Sequence, residues 1–364
     1  LRGTIRKIAD NVEYKMPPTI DDPAILFAAT GSEANDFLIK MLKYGASSDN
    51  QSTKMKFVSR RQSYHGGTLA SASLTGGHHS EFGLPLSGFC HVSQPDFHGD
   101  RFSGETEEEF CKRLISEVEN LIVREDPNSI AAFFAEPVSF SAGLHVPPKN
   151  YFSHLKELLS YYEIDLIADE VVTGFGRTGK MWGSESVNFA PDHSTMGKGI
   201  TSGYFPLSAI AIGKSLYDKM KAKSKNIGSF AHAATYAAHP VGAAAALKTL
   251  EIIKREKILE HSAEMGRLLE AELRPLGEHP MVGDIRCHGL AAAIDFRIRD
   301  EDDKLVEVDP TVPCNKIYQE LIDHGLITRP VNGSLLIAPP LITTRDQIFE
   351  ISDKICSAFK TFNK

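Results

Sequence analysis

Lys198 stands between Gly197 and Gly199 in the run from Ser194 to Gly203, among small residues. A surface lysine needs no such setting. A lysine that must reach a carbonyl carbon, release it and swing away does, and such an amine is a covalent nucleophile. Asp169 follows the apolar-rich run Ile164-Asp165-Leu166-Ile167-Ala168. Ligands of open α/β sheets sit at strand carboxyl ends, so this carboxylate reads as functional, with a helix cap as the plainer alternative. Thr30-Gly31-Ser32-Glu33-Ala34 marks a loop turning into a helix. Free N–H groups and the helix dipole favour an anion there, Gly31 allows close approach, and Ser32 adds a hydroxyl; many helices also begin this way with no ligand. Tyr64-His65-Gly66-Gly67-Thr68 puts an aromatic face beside glycines. A planar ring can stack on such a face, although a turn with a surface tyrosine is the simpler reading.

The elements that must position these groups follow from the apolar pattern. Strand-like runs alternate with helix-like segments, the pattern of an α/β protein. Helices are expected over Gly31–Tyr44, Glu105–Glu125 and Pro240–Arg255, the last with proline in its first turn. Strands are expected over Ile130–Phe134, Ile164–Ala168 and Ser208–Gly213. Beyond them, strands near Gly289–Phe296 and Leu335–Ala338 flank a helix at Cys314–His324, and a last helix runs from Thr344 to Phe362. The expected division is a large domain over 1–250 and a smaller α+β domain over 251–364, with 1–20 a remnant of an N-terminal segment. A chain of 364 residues is long enough for both.

Composition excludes several classes. A net charge of −7 carries no basic footprint for nucleic acid. The five cysteines are scattered without a CxxC pair, which argues against disulfide frameworks and zinc sites. No metal is expected, and no uninterrupted apolar run reaches bilayer length. Leu1–Lys15 lacks the apolar block of a secretory signal. The expected compartment is cytoplasmic, or mitochondrial if a targeting peptide has been lost. Gly174-Phe175-Gly176-Arg177-Thr178-Gly179 satisfies GxGxxG, but Lys180-Met181-Trp182-Gly183 is a poor helix start for a dinucleotide site. The same stretch fails as a P-loop, because Met181 stands where a Ser or Thr should bind magnesium.

The four pieces fit one chemistry together, that of pyridoxal phosphate (PLP). A lysine forms a Schiff base with it, a carboxylate keeps its pyridine nitrogen protonated, a helix start holds the phosphate, and two side chains sandwich the ring. At these residues the chain resembles the class III PLP-dependent aminotransferases of fold type I. The motifs are TGSEAND at Thr30–Asp36, YHGGT at Tyr64–Thr68, AEPV at Ala135–Val138 and ADEVVTGFGRTGKM at Ala168–Met181. MGKGITSGYFPLSA follows at Met196–Ala209, then FAHAATYAAHPVGAAAAL at Phe230–Leu247 and LITRP…LLIAPPLITT within Leu326–Thr344.

The resemblance implies a mixed, mostly parallel seven-stranded sheet with a smaller C-terminal α+β domain, and a homodimeric enzyme working by ping-pong transamination. It implies Lys198 as the Schiff-base lysine and proton shuttle, Asp169 at the pyridine nitrogen and Glu136 near the ring. Val171 and Tyr64 would cover the two ring faces. Gly31 and Ser32 would bind the phosphate, with Thr235 contributed by the partner subunit, and Arg329 would bind the substrate carboxylate. His65 is grouped with the cofactor residues; it, His232 and His239 read as turn or pocket-wall residues rather than metal ligands.

Relatives that use 2-oxoglutarate with ornithine or 4-aminobutyrate often read EPVQGEGG, whose glutamate pairs with the carboxylate-binding arginine. Here Ser141 takes that place, and Val172 stands where glutamine often follows the stacking valine. Both departures, with Phe82-Gly83-Leu84-Pro85 and the helix opening at Gly104–Phe110, resemble the pyruvate-using ω-amine and plant-type 4-aminobutyrate branch. The expected reaction moves an amino group from an amine or ω-amino acid to pyruvate, with a 2-oxoglutarate enzyme as the alternative. A second alternative comes from the short start. The family carries roughly a hundred residues before TGSEA, a domain-sized segment, and here Thr30 is reached directly. A fragment, or a PLP-binding homologue of weak or no activity, would explain that. Racemases, aminomutases and decarboxylases share the fold and are separated only by product.

Overall fold

A computed structural model describes residue 20 and residues 22–46, 54–77 and 80–361. The segment read as an N-terminal remnant, Ile20 apart, and Phe362 lie outside the described residues.

Seven strands form the main sheet: β1 (Ala24–Ala28), β2 (Lys56–Arg60), β3 (Phe89–Val92), β4 (Ile130–Ala135), β5 (Asp165–Asp169), β6 (His193–Met196) and β7 (Ser208–Ile212). Their spatial order is β1-β7-β6-β5-β4-β2-β3. The five strands from β6 to β3 run parallel, while β7 is antiparallel to both β6 and β1. The central strands read as continuous apolar runs because both faces are covered. On β4, Phe133 and Ala135 join one core and Ala132 and Phe134 the other. On β5, Leu166 and Ala168 split from Ile167 in the same way.

The first core lies under α3 (Glu107–Glu125) and α4 (Tyr151–Tyr161), the second under α1 (Gly31–Ala46), α2 (Leu69–Leu74) and α5 (Lys214–Ile227). Helix α3 begins two residues later than its apolar period suggests, for a local reason. Thr106 is its N-cap, and the Glu109 carboxylate accepts from Thr106 N at 3.0 Å, a capping box that fixes the first turn.

Helix α6 (Pro240–Arg255) runs unbroken through residues 250 and 251, where the sequence reading divides the chain. After it come α7 (Ile258–Leu273), β8 (Asp284–Cys287), β9 (Ala292–Asp295), α8 (Thr311–Asp323), β10 (Arg329–Val331), β11 (Ser334–Ile337) and α9 (Arg345–Thr361). The four strands make an antiparallel sheet of order β10-β11-β9-β8. Its core joins Leu269, Ile294, Ile317, Leu335 and Ile355 from the sheet and its three helices. Among the described residues no helix is long and apolar enough to cross a membrane.

The glycine-rich stretch after β5 is a strut between the two sheets. Leu290 N donates to Arg177 O at 3.0 Å, and Arg177 Nη1 donates to the carbonyls of Leu290 and Pro339, each at 2.7 Å. Buried Glu170 holds the other end, accepting from Gly183 N and Ser184 N at 2.8 Å each. A GxGxxG string here reflects close chain packing. The four-residue helix Gly183–Ser186 that follows is too short to cradle a dinucleotide.

Candidate active site

Parallel strands end on one edge of the sheet, and the chemistry-bearing residues are placed by those ends. β5 ends at Asp169, β4 ends one residue before Glu136, β6 ends two before Lys198, and β2 ends four before Tyr64. They meet the N-terminus of α1 around a cavity of about 410 Å³. That lies within the range of small-molecule sites. Gly31, Ser32, Tyr64, His65, Glu136, Asp169, Val171 and Lys198 all line it.

Asp169 is the most heavily supported of them. Its Oδ2 accepts from His65 Nδ1 at 2.8 Å and from Asn35 Nδ2 at 2.9 Å. An ionised carboxylate only accepts, so this pairing assigns the ring proton to Nδ1. Asn35 is held in turn, its Oδ1 accepting from Thr195 Oγ1 at 2.9 Å and its Nδ2 donating to His65 O at 2.7 Å. Among the described residues Oδ1 of Asp169 accepts only from Val171 N, at 3.1 Å, and keeps lone-pair capacity for a further donor. Burial by itself would push this carboxyl up. The hydrogen bond and charge of His65, with the bonds from Asn35 and Val171, outweigh it and hold Asp169 below its ordinary value.

Lys198 adopts φ 39° in the left-handed region. Its neighbour Gly199 could not carry a side chain without displacement, since an added Cβ would lie 2.9 Å from Phe175 Cβ. Burial pushes the Lys198 amine down and nearby Arg329 acts in the same direction, while Asp169 and Glu136 oppose them; the net shift is downward. Glu136 is buried and pushed upward by that burial, against the His65 and Arg60 charges and a short hydrogen bond from Ser139 Oγ. Arg60, fully buried, donates Nη2 to Glu136 O at 2.6 Å.

The start of α1 has the features of an anion site. Thr30 satisfies Glu33 N through Oγ1 at 3.2 Å and Ala34 N through its carbonyl at 3.0 Å. Among the described residues nothing accepts from the N–H groups of Gly31 and Ser32, the orphan donors of a helix start. Ser32 Oγ accepts from Gly67 N at 3.1 Å, which leaves its own O–H to donate. A Cβ on Gly31 would lie 2.9 Å from Val171 Cγ2, so glycine is what lets the helix start approach that side chain. The donor set suits PLP: an acceptor with spare capacity, two free N–H groups with a hydroxyl, a buried amine, and Val171 and Tyr64 on the walls.

Two expected residues lie apart. Thr235 sits on an exposed turn, Thr235–Ala238, and is not among the residues lining this cavity. Arg329 is exposed on β10, outside the lining, yet near enough to act electrostatically on Lys198. Asn35, Ser139 and Thr195 were missed by sequence reading. Asn35 lies inside TGSEAND, but a lone amide in a helix carries no chemical signal of its own.

A sheet edge that gathers a buried amine, a supported carboxylate and an anion-receptive helix start belongs with PLP enzymes of fold type I. Residues 4–359 match the aminotransferase class-III family, and the chain belongs to that family, whose members use PLP to transfer amino groups. It is 37% identical over 333 residues to the uncharacterized aminotransferase y4uB of Sinorhizobium fredii, covering 90% of this chain and 71% of that protein. It is 37% identical over 345 residues to the probable gamma-aminobutyrate transaminase 3, mitochondrial, of Oryza sativa subsp. indica, covering 92% and 66%. The fold superposes on the omega transaminase of Pseudomonas jessenii in complex with PMP with a TM-score of 0.91 at 36% identity, covering 98% of this chain and 78% of that one. The chain thus spans about two thirds of the length of these curated relatives.

Proposed function

We propose that this chain catalyses PLP-dependent transamination, moving an amino group from an amine or ω-amino acid to pyruvate in a ping-pong cycle. The observation that carries the reading is Lys198 and Asp169 on one cavity, the amine shifted down and the carboxyl held ionised.

When bound, PLP supplies an aldehyde carbon to take up nitrogen and a ring to accept electrons. Asp169 would pair with the ring nitrogen, and the His65–Asn35 pair keeps that carboxylate charged and aimed. Gly31 and Ser32 hold the phosphate, Val171 and Tyr64 face the ring, and Glu136 adds a polar group beside the lysine. Lys198 Nζ makes no hydrogen bond or ion pair among the described residues. Burial, which shifts its pKa down, favours its neutral form, and in that form it would take the proton from the substrate α-carbon and redeliver it.

The pyruvate assignment rests on Ser141, which stands where a glutamate would engage Arg329, and on Val172 after the stacking valine; Arg329 has no ion-pair partner among the described residues. Its planar fork suits the carboxylate common to amino and keto acid substrates. For an uncharged amine it would stay in solvent. We place Thr235 in the partner's site of a homodimer, on the basis of its exposed turn.

The test is an absorption spectrum of the purified chain with added PLP, then alanine or 4-aminobutyrate, then pyruvate. A visible band that bleaches with amine and returns with pyruvate, with alanine formed, is expected, and Lys198→Ala should abolish it. A band indifferent to every amine would overturn turnover and leave a cofactor-binding protein.

A further inference from the structure

Arg286, on β8, lies outside the residues lining the cavity, and its side chain is only 11% exposed. Nη1 donates to Asp284 Oδ2 at 3.0 Å and to Asp295 Oδ2 at 2.7 Å. Asp295 is buried, and hydrogen bonds from Arg297 with the charges of both arginines overcome burial and hold it far below its ordinary value. With that arm fixed, the rest of the fork points at two other elements. Nε and Nη2 both donate to Gly143 O, at 3.2 and 2.9 Å, and Nη2 also donates to Ser334 Oγ at 3.1 Å.

Those elements are the two sides of the expected carboxylate subsite. Gly143 closes the short helix Phe140–Gly143, which carries Ser141. The other end of that helix is tied to the lysine's surroundings, because Ser139 Oγ bonds the Glu136 carboxylate. Ser334 opens β11, pairs with Val331 across the hairpin, and so sets the register that puts Arg329 opposite Leu336. The contact is close. Gly143 has φ +124°, and a Cβ there would lie 3.2 Å from Ser334 Oγ. Among the described residues the other hydrogen bond between helix and hairpin is the long Asn332 Nδ2–Ala142 O, at 3.5 Å.

We propose that Arg286 is a positioning residue of the carboxylate subsite, clamping the Arg329 hairpin to the Ser141 helix and so fixing where a substrate carboxylate sits relative to Lys198. The inference rests on the reading of Arg329 as the carboxylate-binding group. Arginine is needed because its fork reaches a carbonyl, a hydroxyl and two carboxylates at once, which a lysine ammonium on one point cannot do.

The experiment uses the PLP-loaded full chain and compares Arg286→Met, Arg286→Lys, Ser334→Ala and Arg329→Leu. Misplacing a binding group by an ångström costs on the order of tenfold to a hundredfold. Arg286→Met should therefore raise the KM for pyruvate roughly tenfold more than the KM for an uncharged amine. The dissociation constant of propionate, which carries no amine or keto group, should rise in parallel when followed by cofactor absorbance. Arg286→Lys and Ser334→Ala should give smaller shifts in the same direction, and they keep the test open if the methionine variant fails to fold. Equal losses for pyruvate and the uncharged amine, with propionate binding unchanged, would show a purely structural role and overturn the proposal. If Arg329→Leu itself leaves pyruvate and propionate unaffected, the reading of Arg329 fails, and the positioning role falls with it. An effect of Arg329→Leu without one of the Arg286 and Ser334 variants overturns only the clamp.

Discussion

Replacing Asn35 with leucine removes one side chain that makes three buried hydrogen bonds, two from Nδ2 and one to Oδ1. The shape is nearly kept, so cavity terms stay small. A buried partner left unsatisfied, as His65 O and Thr195 Oγ1 would be, costs about 1–2 kcal/mol, and losing the bond to charged Asp169, which keeps His65, costs about as much, about 3–6 kcal/mol in all. At roughly 2 cal/mol/K of unfolding entropy per residue, 364 residues give about 0.8 kcal/mol/K, so the apo protein should melt about 4–8 °C lower. The electrostatic consequence has a definite sign. Asp169 is held below its ordinary value, so its contribution is present above the unfolded carboxyl range and is lost as pH falls through the depressed folded value. Losing the Asn35 bond raises that folded value toward the unfolded one, so the acid-side loss of stability should be smaller and complete at higher pH in Asn35→Leu. Melting curves of the apo protein from about pH 3 to pH 8 measure both effects. A fall of less than about 1 °C, with an unshifted acid limb, would refute the claim that this amide supports Asp169.

Further outcomes test the other parts of the site. Gly31→Ala puts a Cβ 2.9 Å from Val171 Cγ2; PLP affinity measured by equilibrium titration should fall roughly tenfold, while melting of the apo protein changes little. Gly289→Ala places a Cβ 2.3 Å from the Thr178 backbone at φ +56° and should destabilise by about 2–4 kcal/mol, read as a lower melting temperature and faster proteolysis near the strut. The downward shift of Lys198 means its neutral form persists to lower pH than that of surface lysines. In the apo protein an amine-reactive reagent should therefore label Lys198 first at neutral pH, and Arg329→Leu, by removing a neighbouring cation, should move that reactivity toward higher pH.

Much of this protein was legible before any coordinate was known. Lys198 between glycines, Asp169 after an apolar run and Gly31-Ser32 at a helix start stand out because each depends on a few consecutive residues and one backbone conformation, and all of them line one cavity. The apolar periods located β4, β5, β7, α6 and the last helix for the same reason: side-chain direction follows local geometry. Segments whose apolar period was weaker or shorter, such as α5 with its many lysines and the edge strands β8 and β10, passed unread. The GxGxxG string needs its context to be read, since glycines placed for close packing against Trp182, Leu259 and Ala263 look the same as glycines needed for a ligand.

What only the tertiary structure decided concerns pairs distant in the chain. Asn35, His65, Asp169 and Thr195 come from four separate elements, and the state of Asp169 is set by their distances. Arg286 meets Gly143 and Ser334, 143 and 48 residues away in the chain, only in the folded structure. Hydrogen bonds and charge interactions decay within a few ångströms. Local sequence therefore determined which groups this protein carries and on which kinds of element, while tertiary packing decided which carboxyl is held below its ordinary value, which amine is pushed down, and which distant side chains meet.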